Sequence, residues 1–399
     1  MRFPLYGWVS LGLILAGCAS GPSGPTMAQI ASADRQMNSE NIPPSLRSLY
    51  RELLVGGERD DVWNAMRLGL AAGRLGEKAL AARVFDGAIR RIEALQEGTA
   101  QAERAKSKFV AESEKYFKGE SYERAALYVY RGLLYADARD MENAAACFRR
   151  AQVQDLAESG EKSGDWYSAE WLLAYALQRS GRGSEAGEAL ARAASFGGRR
   201  GRVPPPSREG NVLLMMEAGE GPQKFSGGEY GEKLYFSEGD WQAVRMEVRV
   251  ADRQAETVPA AEDLYFQATT RGTRKVDHIL AGKAQFKGAV DTAGNVGIVA
   301  GAATAATSRS DTQSLVGLGL VVGGLISKGI AGAAQPEADT RAWDNLPHSL
   351  FFSTLNCPVG TTKVVVRALD ASGAVVKETT REIVITDPNE PKQLWLTAP

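Results

Sequence analysis

The spacing of apolar residues changes along this chain, and that change constrains the fold more than any other feature. In the first half, apolar residues such as Phe85 and Ala88 recur at helical intervals. In the last half they alternate with polar residues, as in β-strands with one buried face. At 399 residues the chain is long enough for two or three domains. We therefore predict a multidomain α+β protein with a helical domain at 46–197, a Gly/Pro/Arg-rich linker at 198–209 and a β-rich domain at 210–399.

Three segments of the helical domain repeat one pattern of small and bulky residues. The matching residues are Ala65, Gly69, Ala72, Ala81, Phe85 and Ala88, then Tyr128, Gly132, Tyr135, Ala144, Phe148 and Ala151, and last Ala174, Leu177, Ala186, Leu190 and Ala193. Small residues let two helices approach, and a bulky residue fills the remaining gap. The pattern resembles the tetratricopeptide repeat (TPR). This resemblance implies a helical solenoid whose concave face binds peptides or proteins. A generic helical bundle is the alternative.

The N-terminus has the layout of a lipoprotein signal. Arg2 precedes an apolar run, and Leu15-Ala16-Gly17 leads directly into Cys18. This lipobox resembles that of bacterial lipoproteins, in which the cysteine is acylated and starts the mature chain. An ordinary signal peptide with an incidental cysteine is the alternative. We predict a signal peptide at 1–17, a lipid on Cys18 and a flexible tether at 18–45.

Short predicted strands separated by turn-forming residues favour a β-sandwich-like arrangement in the last half of the chain. The strand at 211–218 is continuously apolar and is expected to be buried on both faces, while the strand at 243–250 alternates. Further strands are predicted at 349–355, 362–369, 375–386 and 393–397, with a turn at 370–373.

A Gly/Ala-rich insert at 283–335 interrupts the β-rich domain. Its apolar stretch at 288–307 contains one GxxxG pair, and its apolar stretch at 315–334 contains another. The first pair is Gly297 with Gly301, and the second is Gly319 with Gly323. This glycine-zipper spacing lets helices pack closely in membranes. Three interpretations remain: a membrane-inserted helical hairpin that oligomerises, a helical pair buried in a soluble domain or covered by a partner, and a flexible segment.

Asp339, Arg341, Trp343 and Asp344 form the densest polar and aromatic cluster in the sequence. They form either a candidate binding surface just past the insert or a structural cluster, in which Arg341 bonds an acid while Trp343 packs on the β-rich domain. Glu217 is expected to pair with Arg341 or Lys224, because it ends an apolar strand that a lone carboxylate would destabilise.

Parts of the β-rich domain resemble a family of bacterial outer-membrane lipoproteins. The segments that carry the resemblance are GNVLLMME at 210–217, GPQK at 221–224 and ADTRAWDNLP at 338–347. Members combine an N-terminal TPR-like region with a C-terminal β-rich block. The resemblance implies a role in envelope assembly or as a scaffold, and it supplies no catalytic residues.

Composition argues against several functional classes. A net charge of −1 gives no reason to expect a nucleic-acid partner. With His278 and His348 as the two histidines and no Cys/His cluster, we predict no metal site, and no motif indicates a cofactor or a catalytic centre. Cys147 and Cys357 could pair in an oxidising periplasm, but Cys147 lies beside the core residue Phe148, which favours a free thiol.

The sequence therefore predicts a non-enzymatic lipoprotein on the periplasmic face of the outer membrane. It would contact the membrane through lipidated Cys18 and bind periplasmic or outer-membrane proteins as a scaffold. The alternative is a homo-oligomeric assembly or export pore in which residues 288–334 insert in the membrane.

Overall fold

A computed structural model describes residues 24–97, 115–156, 165–196, 203–270 and 338–399. The predicted mixed α+β class is confirmed. The signal peptide, Cys18 and the insert at 283–335 lie outside the described residues. The same holds for the four glycines of the two zipper pairs, which are Gly297, Gly301, Gly319 and Gly323.

Nine helices occur in the described ranges, with a short 3-10 turn at Pro44–Leu46 between the first two. They are α1 (Met27–Ser39), α2 (Arg47–Val55), α3 (Asp61–Arg74), α4 (Lys78–Gln96), α5 (Ser121–Asp137), α6 (Met141–Leu156), α7 (Tyr167–Arg179), α8 (Gly183–Ser195) and α9 (Leu264–Thr269).

The prediction of a flexible tether at 18–45 is wrong for Met27–Ser39, because helix α1 occupies this central part. Thr26 and Gln29 form a capping box at the helix start, which satisfies amides that would otherwise lack partners. Met37 is buried in the core, and Arg51 of α2 holds Asp34 at 2.7 Å. The helix is therefore part of the folded body.

Helices α3 to α8 form three pairs, α3/α4, α5/α6 and α7/α8, and neighbouring pairs also touch. In two pairs a glycine lies under an aromatic ring. A Cβ on Gly69 would lie 2.3 Å from the Phe85 ring, and a Cβ on Gly132 would lie 2.5 Å from the Phe148 ring. The two helices of each pair approach closely because these positions carry no side chain.

Ten strands form three sheets in the described ranges. They are β1 (Val212–Ala218), β2 (Gln223–Gly227), β3 (Lys233–Ser237), β4 (Arg245–Val250), β5 (Glu256–Pro259), β6 (Glu262–Asp263), β7 (Ser349–Leu355), β8 (Gly360–Leu369), β9 (Val375–Ile385) and β10 (Lys392–Ala398). The first sheet has the order β10-β1-β7-β6, β2 and β3 form a hairpin, and the third sheet has the order β5-β4-β8-β9. The six predicted strands are confirmed to within about two residues at their ends.

The first sheet contacts both the helices and the third sheet. Its strand β1 is buried along its whole length, as predicted. Met215 is in register with Phe352 and Trp395, whose rings stack on Trp171 of α7 and Tyr130 of α5. Strand β7 of the first sheet also contacts β4 and β5 of the third sheet. Helices therefore cover a face of this sheet, and the third sheet contacts it through β7.

One continuous hydrophobic core crosses the boundary that the sequence suggested. It extends from Met37 to Leu396. The described part of the linker is packed as well, since the Trp171 indole donates to the Pro204 carbonyl at 2.8 Å and Val203 is buried. The helical and β-rich regions consequently form one folded unit.

We predict that Gly132→Ala lowers the free energy of unfolding by about 1–3 kcal/mol, because the added methyl group overpacks the Phe148 ring. The control is Gly187→Ala in α8, where a Cβ meets nothing within 4 Å. This variant should gain roughly 0.5–1 kcal/mol from helix propensity. Denaturant unfolding measures both values, and equal effects of the two substitutions would contradict the close approach.

Candidate functional site

The predicted binding surface lies on an extended segment, residues 338–347, which we call the strap. The strap runs along α3 and α5 before it enters β7. Trp343 is 2% exposed, and its ring packs edge-on against Phe85 and Tyr130 at centroid distances of 6.1 and 5.9 Å. The prediction of an exposed binding surface is therefore wrong for Trp343. The structural alternative expected Trp343 to pack on the β-rich domain, but its ring packs against Phe85 and Tyr130, which belong to helices.

Arg341 holds the start of the strap against the helices. Its guanidinium pairs with Asp339 and with Asp60 next to α3, each at 2.6 Å, and donates to the Lys115 carbonyl at 2.8 Å. Burial alone would lower the pKa of Arg341, but the two carboxylates outweigh burial and raise it. Arg341 and Asp339 thus form an internal clamp, as the structural alternative expected.

Helical side chains bind the main chain of the strap. Trp63 donates to the Ala342 carbonyl at 2.6 Å, Arg74 donates to the Asn345 carbonyl at 2.8 Å, and the Trp343 amide donates to Glu123 at 2.7 Å. Asp344, which is partly exposed, accepts from Arg67 at 2.9 Å. This helical face is therefore occupied by the chain itself.

A buried ion pair joins the strap, α5 and the β2–β3 hairpin. Lys224 on β2 contacts Glu123 on α5 at 2.6 Å, and both side chains are at most 1% exposed. Lys224 also donates to the Arg341 carbonyl at 2.9 Å. The Glu123 carboxylate accepts from the Glu120 amide at 2.7 Å as well, which caps the helix. Each group thus compensates the burial of the other.

Glu217 pairs with neither of its expected partners. It accepts from Arg74 at 2.6 Å and from the Tyr130 hydroxyl at 2.5 Å. Burial, and then the neighbouring Glu217 charge, raise the pKa of Tyr130 well above its usual value. The prediction of Arg341 or Lys224 is wrong because α3 and α5 cover this end of β1 and supply the partners.

Glu262 on β6 is a further buried carboxylate, and no sequence motif indicated it. Its oxygens accept from the Ser168 amide at 3.0 Å, the Ser168 hydroxyl at 2.9 Å and the Gln267 amide at 2.7 Å. Ser168 lies in the first turn of α7, so Glu262 caps that helix from the sheet. Burial outweighs these bonds and raises the pKa of Glu262 to about 7.

A serine, a histidine and a carboxylate form a hydrogen-bonded chain at the start of β7. His348 Nδ1 lies 2.9 Å from the Ser349 hydroxyl, and its Nε2 lies 2.9 Å from Glu238. The His348 ring also stacks on Trp241. Ser349 is 0% exposed, so substrate cannot reach its hydroxyl in this conformation. The three groups fasten the Glu238 loop to the first sheet.

Both described cysteines are free thiols. Burial raises the pKa of Cys147 to about 12 and raises that of Cys357, so neither forms a reactive thiolate at neutral pH. Among the described residues, no group of three or more His, Cys, Asp or Glu side chains is placed to hold a metal ion. Within the same ranges, no helix has the length and apolar character that a membrane crossing requires.

The sites predicted for the membrane are not among the residues that the structure describes. They are the lipidation site Cys18 and the hairpin glycines Gly297, Gly301, Gly319 and Gly323. Lipidation at Cys18 and helix packing through these glycines stay predictions from the sequence.

Comparisons with known proteins find no relative. No protein-family model matches the chain, and searches of curated proteins and of solved structures give no significant match.

We predict that Glu262 makes the fold less stable as pH rises. Its pKa is raised from 4.5 to about 7 on folding, so the folded state holds the proton more tightly than the unfolded state. Stability from this group is fully present below pH 4.5 and is lost as pH rises to about 7, a change of about 3 kcal/mol.

Glu262→Gln should remove this fall when unfolding free energies are measured across that range. Glu378→Gln is the control, because Arg367 lowers the pKa of this exposed carboxylate. An unchanged pH dependence in Glu262→Gln would contradict the assignment.

Proposed function

We propose that this protein is a lipid-anchored periplasmic scaffold that organises a complex of envelope proteins at the outer membrane. Cys18 carries the lipid in this proposal, and the lipobox in the sequence supports it. We further propose that helices α3 to α8 are a TPR-like solenoid and that the first and third sheets form a β-sandwich-like unit. The family of outer-membrane lipoproteins that the sequence resembles is part of the same proposal.

The observation that carries the scaffold proposal is the single core shared by helices and sheets. The buried pair Glu123–Lys224 and the partly buried pair Arg74–Glu217 cross from helices to strands, and Trp343 is inserted between helical rings. These contacts favour a rigid unit in which the helices and sheets keep a fixed orientation. A scaffold needs such rigidity to hold its partners at fixed positions.

The strap also determines where a partner can bind. It fills the face of α3 and α5, so a partner in this proposal uses the outer helices α4, α6 and α8, whose faces are partly exposed. Val153 and Leu156 of α6 are 47% and 55% exposed. A partner covering them would bury apolar surface that the monomer leaves in water.

A second candidate function is a homo-oligomeric membrane assembly through residues 288–334. One observation favours it. Helix α9, which precedes residues 271–337, packs on β3. The amide of Ala338, which follows them, donates to the Gly231 carbonyl at the β2–β3 turn. The residues on either side of 271–337 are thus attached to the same hairpin.

Crosslinking in intact envelopes followed by affinity recovery tests both candidates. We expect the wild type to recover a defined set of envelope proteins. Cys18→Ser should lose most of them because it lacks the anchor, and the control Cys147→Ser, which alters a half-buried free thiol, should retain them. A chain without residues 288–334 should keep these partners if the scaffold proposal holds.

Two outcomes would decide against the proposals. If Cys18→Ser recovers the same partners at the same level as Cys147→Ser, the anchored scaffold is contradicted. If self-crosslinked species persist unchanged after removal of residues 288–334, the oligomeric assembly through that segment is contradicted.

A further inference from the structure

The β2–β3 hairpin exposes two aromatic rings on one face. Phe225 and Tyr235 are cross-strand partners, and they are 49% and 43% exposed. Their rings stack with centroids 5.5 Å apart. We call this pair the aromatic face. Gly227 extends it, because a Cβ there would lie 2.7 Å from the Tyr235 ring, so that ring covers the glycine backbone.

The opposite face of the hairpin already holds it in place. Lys224 forms its buried ion pair with Glu123, and Phe236 packs edge-on against Tyr122 of α5 at 5.9 Å. The hairpin is therefore oriented with the aromatic face outward. Two adjacent half-exposed rings form an apolar patch, and such patches are the surfaces that partners and membranes cover.

The sequence next to the hairpin indicates which surface covers the aromatic face. Residues 271–337 connect α9, which packs on β3, to Ala338, whose amide donates to the Gly231 carbonyl of the hairpin turn. That segment contains the uninterrupted apolar sequence LVGLGLVVGGLI at 315–326. Tyrosine is enriched at the boundary between membrane and water, where its ring is in the headgroup region and its hydroxyl stays hydrated, and a phenylalanine next to it adds apolar area.

We propose that the aromatic face binds the headgroup region of a phospholipid bilayer. This proposal extends the second proposed function, the membrane assembly through residues 288–334, and it rests on that function because the assembly brings the membrane to the hairpin. The charges on the hairpin indicate which lipid it prefers. Glu229 and Glu232 at the turn offset the charge of Lys233, and Lys224 is already paired with Glu123. A zwitterionic lipid therefore suits the face better than an anionic one, and binding is driven by apolar burial and resists added salt.

The experiment uses the full chain with Cys18→Ser, so that no acyl group contributes. Tyr235→Cys is labelled with an environment-sensitive fluorophore, and Val384→Cys on β9, a position 49% exposed, is the matched control. Cys147 and Cys357 are poor targets for the label because burial raises the pKa of both thiols. The vesicles contain mostly phosphatidylethanolamine with a minor fraction of phosphatidylglycerol.

With vesicles, the probe at 235 should shift to the blue and be quenched by brominated lipid, while the probe at 384 should not change. In vesicle flotation, Phe225→Ser with Tyr235→Ser should weaken binding by roughly tenfold. The exposed control pair Val375→Ser with Val384→Ser should leave it unchanged, and circular dichroism checks that both variants fold.

A probe at 235 that stays hydrated with vesicles overturns the proposal. So does a probe that is shielded before vesicles are added, because the protein would then cover its own aromatic face. Extraction with alkaline carbonate reports membrane insertion separately. If carbonate extracts the protein while the probe at 235 is quenched, only the insertion of residues 288–334 is contradicted. If the protein resists extraction while the probe at 235 stays hydrated, only the contact of the aromatic face with the bilayer is contradicted.

Discussion

The rest of the structure depends on one buried carboxylate, that of Glu123. It accepts from Lys224 on the hairpin, from the Trp343 amide on the strap and from the Glu120 amide at its own helix start. A carboxylate at 0% exposure is tolerated only because these donors replace water. Three parts of the chain must therefore converge before α5 can be buried, which couples the packing of the helices to that of the β-rich region.

This coupling determines which surfaces of the helical region are open to a binding partner. The strap occupies a face of α3 and α5 with its own main chain and with Trp343. The chain therefore supplies an internal ligand for these helices, and the partly exposed faces of α4, α6 and α8 and of the β2–β3 hairpin stay accessible.

Features encoded locally were predictable, and features that depend on distant partners were not. Strands β7 to β9 follow from alternation and from the Asp370 turn, whose carboxylate accepts nearby amides. Helix α1 was missed because small and polar composition outweighed the Thr26 capping box. The helical partners of Trp343 could not be deduced, since Glu123, which accepts from its amide, is 220 positions away in sequence and nothing local encodes that contact.

The central claim, that helices, strap and sheets are one cooperative unit held through Glu123, is tested most directly by hydrogen exchange in Lys224→Met. Removing one partner of a buried pair costs about 3–5 kcal/mol. The account predicts an equal loss of protection in α5 and β1 and much less in Lys78→Met, which breaks the exposed pair with Asp137. Loss confined to the β2–β3 hairpin, with α5 and β1 unchanged, would contradict it.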